Sequence, residues 1–351
     1  MLSFYPGPSK VHPEALGFIQ EAFSNGVVSI NHRSERFEIL LKDTLQVLHE
    51  KWNIPQDYTL YFISSATEAW EIVAQSLVEK KCLHLYNGAF GKKWAHYTQQ
   101  IIPQAVSFEF DLNEDLKSVA SKLSTKDFDT VCLVQSETSN GTGQNICRSD
   151  FNSNEDAIIA VDATSTMGGI NLPWLEADVW FASVQKCMGI PAGLGVLICS
   201  PKALKRATEL NKKIHYNDIL LMEENRKLFQ THYTPNVLSI YIMNKLAHLL
   251  PNLTEINQQT NEKARLLTEF FSKTNAFNLS FLVENPRVRL PTVFALKGEA
   301  IQIKKLQNLC SKNNIELGKG YGGWKEHTIR IANFPSHTLE DFRHLLHLIK
   351  S

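Results

Sequence analysis

The sequence predicts an α/β protein with a mostly parallel central sheet flanked by helices and a smaller α+β C-terminal domain. Three observations carry this. Between residues 60 and 200, short apolar runs alternate with amphipathic stretches, which is the pattern of β-α-β units. The chain has 351 residues, more than one ordinary core takes up and suited to two domains. Apolar residues make up 43% and charged residues 21%, the balance of a folded globular protein.

Taken in order, Ser34 is placed to cap a helix on which Phe37, Leu40, Leu41, Leu45 and Leu48 recur at helical spacing. The strand candidates follow: LYFI (60–63), LHLY (83–86), TVCLV (130–134), AIIAV (157–161), DVWFASV (178–184) and GVLIC (195–199). Each ends beside polar or small residues. Ligands of open α/β sheets bind beyond the carboxyl ends of the strands, where helix N-termini also point. After these come a long helix over 254–272, strands near 292–296 and 328–332, and a terminal helix over 338–350. The boundary falls near residue 250. Residues 12–250 form the large domain, and 1–11 with 251–351 form the small one, with no internal repeat or low-complexity linker.

Lys plus Arg number 36 and Asp plus Glu 36, so the overall field gives no reason to expect nucleic acid or an anionic membrane as partner. No window reaches the roughly 18 apolar residues of a membrane span, and the start, MLSFYPGPSK, lacks a charged and then apolar leader. A cytoplasmic enzyme acting on small molecules is the expectation. The six cysteines are scattered, without metal-ligand spacing, and read as reduced core residues. Among the twelve histidines only His344 and His347 share a helix face, with no third ligand nearby, so no metal is expected.

The sharpest chemical signal is an acid and an amine at the ends of two neighbouring strands, Asp162 after AIIAV and Lys186 after DVWFASVQ. A buried charge needs a partner, and a pyridoxal phosphate (PLP) ring would partner both. Asp162 would keep the pyridine nitrogen protonated. Lys186 would be the Schiff-base residue, its amine made neutral by desolvation. The coenzyme phosphate needs a helix N-terminus, and Ser65, Ala66 and Thr67, between strand LYFI and helix EAWEIVAQSLV, are the candidates. Taken alone, these residues are better explained as an N-cap.

Asn-Gly-Ala-Phe-Gly-Lys-Lys (87–93), Ser-Glu-Thr-Ser-Asn-Gly-Thr (136–142), Val-Asp-Ala-Thr-Ser-Thr-Met-Gly-Gly (161–169), Ser-Val-Gln-Lys (183–186) and Ile-Arg-Ile-Ala-Asn-Phe (329–334) form an ordered series. This series resembles the class V, fold-type I aminotransferases over nearly the whole chain. The resemblance implies that Phe90 stacks on the coenzyme ring, that Thr138 bonds near the ring oxygen, and that Thr164 and Gln185 contact the coenzyme. It implies that Thr234 reaches the phosphate of the other subunit, making the enzyme an obligate homodimer. Arg330 would grip the substrate α-carboxylate with its planar fork, and His32 with Arg33 would hold a substrate phosphate.

Within that family the PGPS start and the Asn-His-Arg-Ser segment favour a phosphoserine-type transaminase with 2-oxoglutarate as acceptor, running a ping-pong cycle. Two departures bear on this: the phosphate turn lacks glycine, and the second His-Arg of the phosphoserine enzymes is replaced by Tyr321-Gly-Gly-Trp324-Lys325-Glu-His327. Lys325 and His327 could stand in for it. The residues after Lys186 lean instead toward alanine or serine–glyoxylate (pyruvate) transamination. A cysteine desulfurase would want a nucleophilic cysteine on a mobile loop, yet the last third has only Cys310, in a helical pattern. A dehydrogenase or non-catalytic nucleotide-binding module would have no use for Asp162 with Lys186, and Gly193-x-Gly195 runs into a strand.

Overall fold

The computed structural model describes residues 1–151, 155–274 and 276–350. The chain opens with a short strand, Leu2–Phe4 (β1), then helices Ala15–Ser24 (α1) and Glu35–Trp52 (α2). Ser34 caps α2 by accepting from the Phe37 N–H, and Phe37, Leu41, Leu45 and Leu48 form its buried stripe. From there the β-α rhythm sets in: Thr59–Ile63 (β2), Ala66–Ser76 (α3), Cys82–Tyr86 (β3), Ala89–Ile101 (α4), Val106–Glu109 (β4), Leu116–Ser121 (α5) and Thr130–Val134 (β5). A small hairpin, Ser136–Glu137 (β6) and Thr142–Gly143 (β7), precedes Ile158–Asp162 (β8), Val179–Ser183 (β9) and Gly195–Cys199 (β10). Helices Pro201–Leu210 (α6), Ile219–Arg226 (α7), Val237–Leu249 (α8) and Leu253–Lys273 (α9) come next. The remainder is Ser280–Phe281 (β11), Val293–Lys297 (β12), Ala300–Lys312 (α10), Ile315–Lys319 (β13), Thr328–Ala332 (β14) and Leu339–Lys350 (α11).

The large sheet has the order β2-β10-β9-β8-β5-β3-β4. Only β10 runs against its neighbours. Both faces are covered, so alternate residues of each strand enter different cores. Ile159, Val161, Trp180 and Ala182 pack against the side of α2 and α8, while Ile158, Ala160, Val179 and Phe181 pack against α3 and α4. The strands therefore read as continuous apolar runs rather than alternating ones.

The small sheet has the order β1-β13-β14-β12-β11, and its core joins Phe4, Leu296, Ile329 and Ile331 to α9, α10 and α11. Helix α9 belongs to both regions. Its Leu253 and Ile256 lie in the large core, and its Ala264, Leu267 and Phe271 lie in the small one. Buried Lys263, between the two sets, donates to the backbone carbonyls of Phe334 (3.1 Å) and His337 (2.7 Å).

The expected strands and long helices are found with ends shifted by a residue or so. Sequence patterning did not anticipate β4, an edge strand with Val106 exposed. Nor did it anticipate β1, three residues long, whose parallel pairing with β13 spans most of the chain. All six cysteines are free, and all but Cys147 are buried. Among the described residues no cluster of His, Cys, Asp and Glu could hold a metal, and no helix is long and apolar enough to cross a membrane.

Phe181 is fully buried, pairs in register with Asp162 and packs edge-on against Trp94 at 5.1 Å. Phe181→Ala should destabilise the chain by about 3–5 kcal/mol, read as a lower denaturant midpoint.

Candidate active site

A cavity of about 320 Å³ opens beyond the carboxyl ends of β5, β8 and β9. Asp162 ends β8 and is 4% exposed. Its carboxylate accepts from the Trp70 indole N–H (3.1 Å) and the Thr164 backbone N–H (2.9 Å). Both donors are neutral, so the buried charge is oriented without being cancelled.

Lys186 follows β9 and is 6% exposed. Its amine donates to Thr138 Oγ1 (2.7 Å) and Ser165 Oγ (3.1 Å), and these hydroxyls lie 2.5 Å from each other. Burial pushes its pKa down to about 8, against the opposing pull of Asp162 and Glu137. The amine lies 5.3 Å from the centre of the Phe90 ring. The N-terminal segment passes so close that a Cβ on Gly7 would stand 2.8 Å from Lys186 Cε, and Gly7 has φ +142°.

Helix α3 presents its N-terminus to the cavity through Ala66 and Thr67. The Ala66 N–H is taken by Ser183 Oγ (2.8 Å), and Ser65 caps the Glu68 N–H (3.1 Å) without lining the cavity. The Thr164 hydroxyl is buried and has no partner among the described residues. Helix α4 begins on another carboxylate: Glu137 accepts from the N–H groups of Phe90, Gly91 and Ser139 (3.0–3.1 Å). That internal anion at a helix N-terminus fixes Phe90 over the cavity.

Arg330, on β14, is 3% exposed and donates from Nε to the Lys319 carbonyl (2.7 Å) and from Nη1 to the Thr138 carbonyl (2.8 Å). Burial weakens its hold on its proton relative to an ordinary arginine, yet a guanidinium stays charged. The Tyr321 ring lies 5.5 Å from the guanidinium, and its hydroxyl accepts from Lys93 Nζ (2.7 Å).

Of the residues singled out in the sequence, Ala66, Thr67, Phe90, Thr138, Asp162, Thr164, Gln185, Lys186 and Arg330 line this cavity together. Ser65, Thr234, His32 and Arg33 do not. Thr234 is exposed, and Arg33 donates to Asn225 (2.6 Å) and Gln230 (2.5 Å) on the surface. Lys325 and His327 are exposed, and Lys325 lines a separate hollow beside α10 and β13. Trp70, Ser165, Lys93 and Tyr321 were not anticipated. All four fall inside segments the sequence had marked, but Trp70, in the helix EAWEIVAQSLV, lies 92 residues from the carboxylate it serves.

The donor set suits a pyridoxal phosphate. Asp162 and Lys186 line one cavity, an aromatic ring lies over it, and an orphaned hydroxyl is ready for an oxygen. A family model described as aminotransferase class-V matches residues 2–324. The chain is a class V aminotransferase. It is a PLP-dependent enzyme, as that family is. The phosphoserine aminotransferase of Rhodococcus opacus is 27% identical to it over 349 residues, covering 97% of this chain and 91% of that one. The crystal structure of a phosphoserine aminotransferase from Cytophaga hutchinsonii superposes with a TM-score of 0.92 at 32% identity, over 99% and 98% of the two chains. An alanine–glyoxylate aminotransferase from Nostoc sp. shares the fold at TM-score 0.84 and 22% identity, over 99% and 94%.

The depressed pKa of Lys186 has a direct readout in this class V aminotransferase. Condensation of the coenzyme-free protein with PLP, followed by stopped-flow absorbance, should speed up as pH rises toward about 8 and level off above it. An ordinary lysine would continue to gain toward 10.5. Lys186→Ala should abolish the visible band.

Proposed function

We propose that this class V aminotransferase is a phosphoserine:2-oxoglutarate aminotransferase working by a ping-pong cycle. The observation that carries the reading is charge: besides Lys186, the cavity is lined by two cations, Arg330 and Lys93, more than an amino acid with a single carboxylate requires. Relatives named phosphoserine aminotransferases at 26–27% identity over nearly the full chain support it. The exposed positions of Lys325 and His327 favour the competing reading, a smaller donor such as alanine with glyoxylate or pyruvate as acceptor.

Bound PLP supplies an electron sink that stabilises negative charge at the substrate Cα and carries the amino group between half-reactions. The chain's own residues have four tasks. Asp162, steadied by Trp70, holds a proton at the pyridine nitrogen. Lys186 would anchor the coenzyme and, as a free amine resting on Thr138 and Ser165, would take the substrate Cα proton on Nζ and return it. Arg330, already fixed by two carbonyls, offers its remaining N–H groups to the α-carboxylate. Phe90 would cover the ring and exclude water, while Thr67, Thr164 and Gln185 with the α3 N-terminus would hold the coenzyme.

The site would be completed in a homodimer. Thr67 lines both this cavity and a neighbouring open hollow of about 520 Å³, mostly polar, at which Ile214 and Tyr216 are exposed, and a second copy seated there would cover them. In that arrangement Thr234 of the second copy reaches the coenzyme phosphate, and its His32 and Arg33 reach the substrate. Free, mostly buried cysteines suit a reducing cytoplasm.

In single-turnover assays with the PLP-loaded enzyme, O-phospho-L-serine should discharge the coenzyme roughly a hundredfold more efficiently than L-alanine, the scale of one strong charge-assisted contact. Equal response to both ends the phosphoserine reading. Arg33→Ala should remove most of that preference, and Arg330→Ala should raise half-saturation for every donor by about tenfold or more.

A further inference from the structure

Adjacent lysines of α4 have different surroundings. Lys92 pairs with Glu109 at 3.5 Å on the outer surface. Lys93 is one step further round the helix, three residues after Phe90 and four before Tyr97, and all three line the cavity. Its ammonium lies 5.7 Å from the Phe90 ring centre and 5.4 Å from that of Tyr321. The Tyr321 hydroxyl accepts from it at 2.7 Å. That partner is neutral, and no carboxylate lies within ion-pair distance of Lys93 among the described residues, so its charge is still on offer. The hydroxyl raises its pKa, so it stays protonated across the physiological range. Tyr321 also contacts the Arg330 guanidinium at 5.5 Å, so one aromatic ring adjoins both cations of the cavity.

We propose that Lys93, held by Tyr321, is a specificity residue that binds the distal anion of the substrate from this chain's side, alongside Arg33 of the second copy, while Arg330 takes the α-carboxylate. This rests on the reading of the enzyme as a transaminase of doubly anionic substrates. The distal group is a phosphate in the donor half-reaction and a carboxylate in the half-reaction with glutamate or 2-oxoglutarate. Both are met by the same ammonium, which forms point contacts and does not require the planar geometry of one acceptor type. Lys93 comes from the large-sheet side and Tyr321 from the small-sheet side. Their contact therefore also ties the two walls together at the cavity mouth.

The test uses the PLP-loaded enzyme and two variants, Lys93→Met, which keeps the apolar stem over the rings, and Lys93→Arg, which keeps the charge. Calorimetry with 3-phosphoglycerate, which carries both anions but no amino group, reads binding without turnover. Lys93→Met should weaken it about tenfold, the lower end for a charge-assisted contact because the site is partly open. Lys93→Arg should restore it to within a few-fold. In single-turnover assays Lys93→Met should lose about tenfold in phosphoserine-to-alanine and glutamate-to-alanine preference, mainly through half-saturation. Tyr321→Phe, which frees the ammonium, should give a smaller loss in the same direction. If the parent prefers phosphoserine but Lys93→Met binds 3-phosphoglycerate as tightly as the parent, the assignment of Lys93 is overturned and the phosphoserine reading stands. If the parent treats phosphoserine and alanine alike, both fall.

Discussion

Removing the Lys186 amine from water is the constraint around which the rest of the site is arranged. A lysine in bulk solvent would be cationic at neutral pH and unable to attack a carbonyl. At 6% exposure its charged form loses hydration that the two hydroxyls of Thr138 and Ser165 only partly replace. Asp162, at the end of the neighbouring strand, is a carboxyl group likewise buried inside the protein. It receives an indole N–H and a peptide N–H, two neutral donors that orient the carboxylate. Parallel, adjacent β8 and β9 deliver both groups to one end of the sheet. The fold and the chemistry are linked at that step.

The same logic governs the anions and cations around the rim. Glu137 is used internally, saturated by the N–H groups at the start of α4, and so positions Phe90 without competing for substrate. Arg330 spends two donors on carbonyls, which fixes the direction of its fork. One of those carbonyls belongs to Thr138, whose hydroxyl serves Lys186. A single residue thus connects the buried guanidinium of Arg330 to the buried amine of Lys186.

The large sheet was legible in the sequence because strands covered on both faces are uninterrupted apolar runs, and because Asp162 and Lys186 interrupt them at the site itself. Helix α2 was legible from its stripe and its serine cap. Strand β4 was not, since an edge strand with outward-facing valine carries no such run, and β1 was not, since three residues have no period and its partner is far along the chain. Residue identity alone did not reveal which cations face the cavity. Lys325, His327 and Lys93 are all solvent-exposed, but Lys325 lines a different hollow, whereas the phase of Lys93 on α4 sets it at the mouth of the cavity beside Phe90 and Tyr321. Trp70 and Tyr321 contribute through contacts across 92 and 228 residues, which local pattern cannot register.

Helix α9 fastens the small sheet to the large one. Its 21 residues make a rod about 30 Å long, embedded at one end among large-sheet side chains and at the other among those of the small sheet, with Lys263 clamped to the turn after β14 near its middle. Such a rod resists stretching and twisting. With Arg330 bonded to the Thr138 carbonyl and Tyr321 to Lys93 at the other side, the small sheet is fastened to the large one by a rod and two polar clasps.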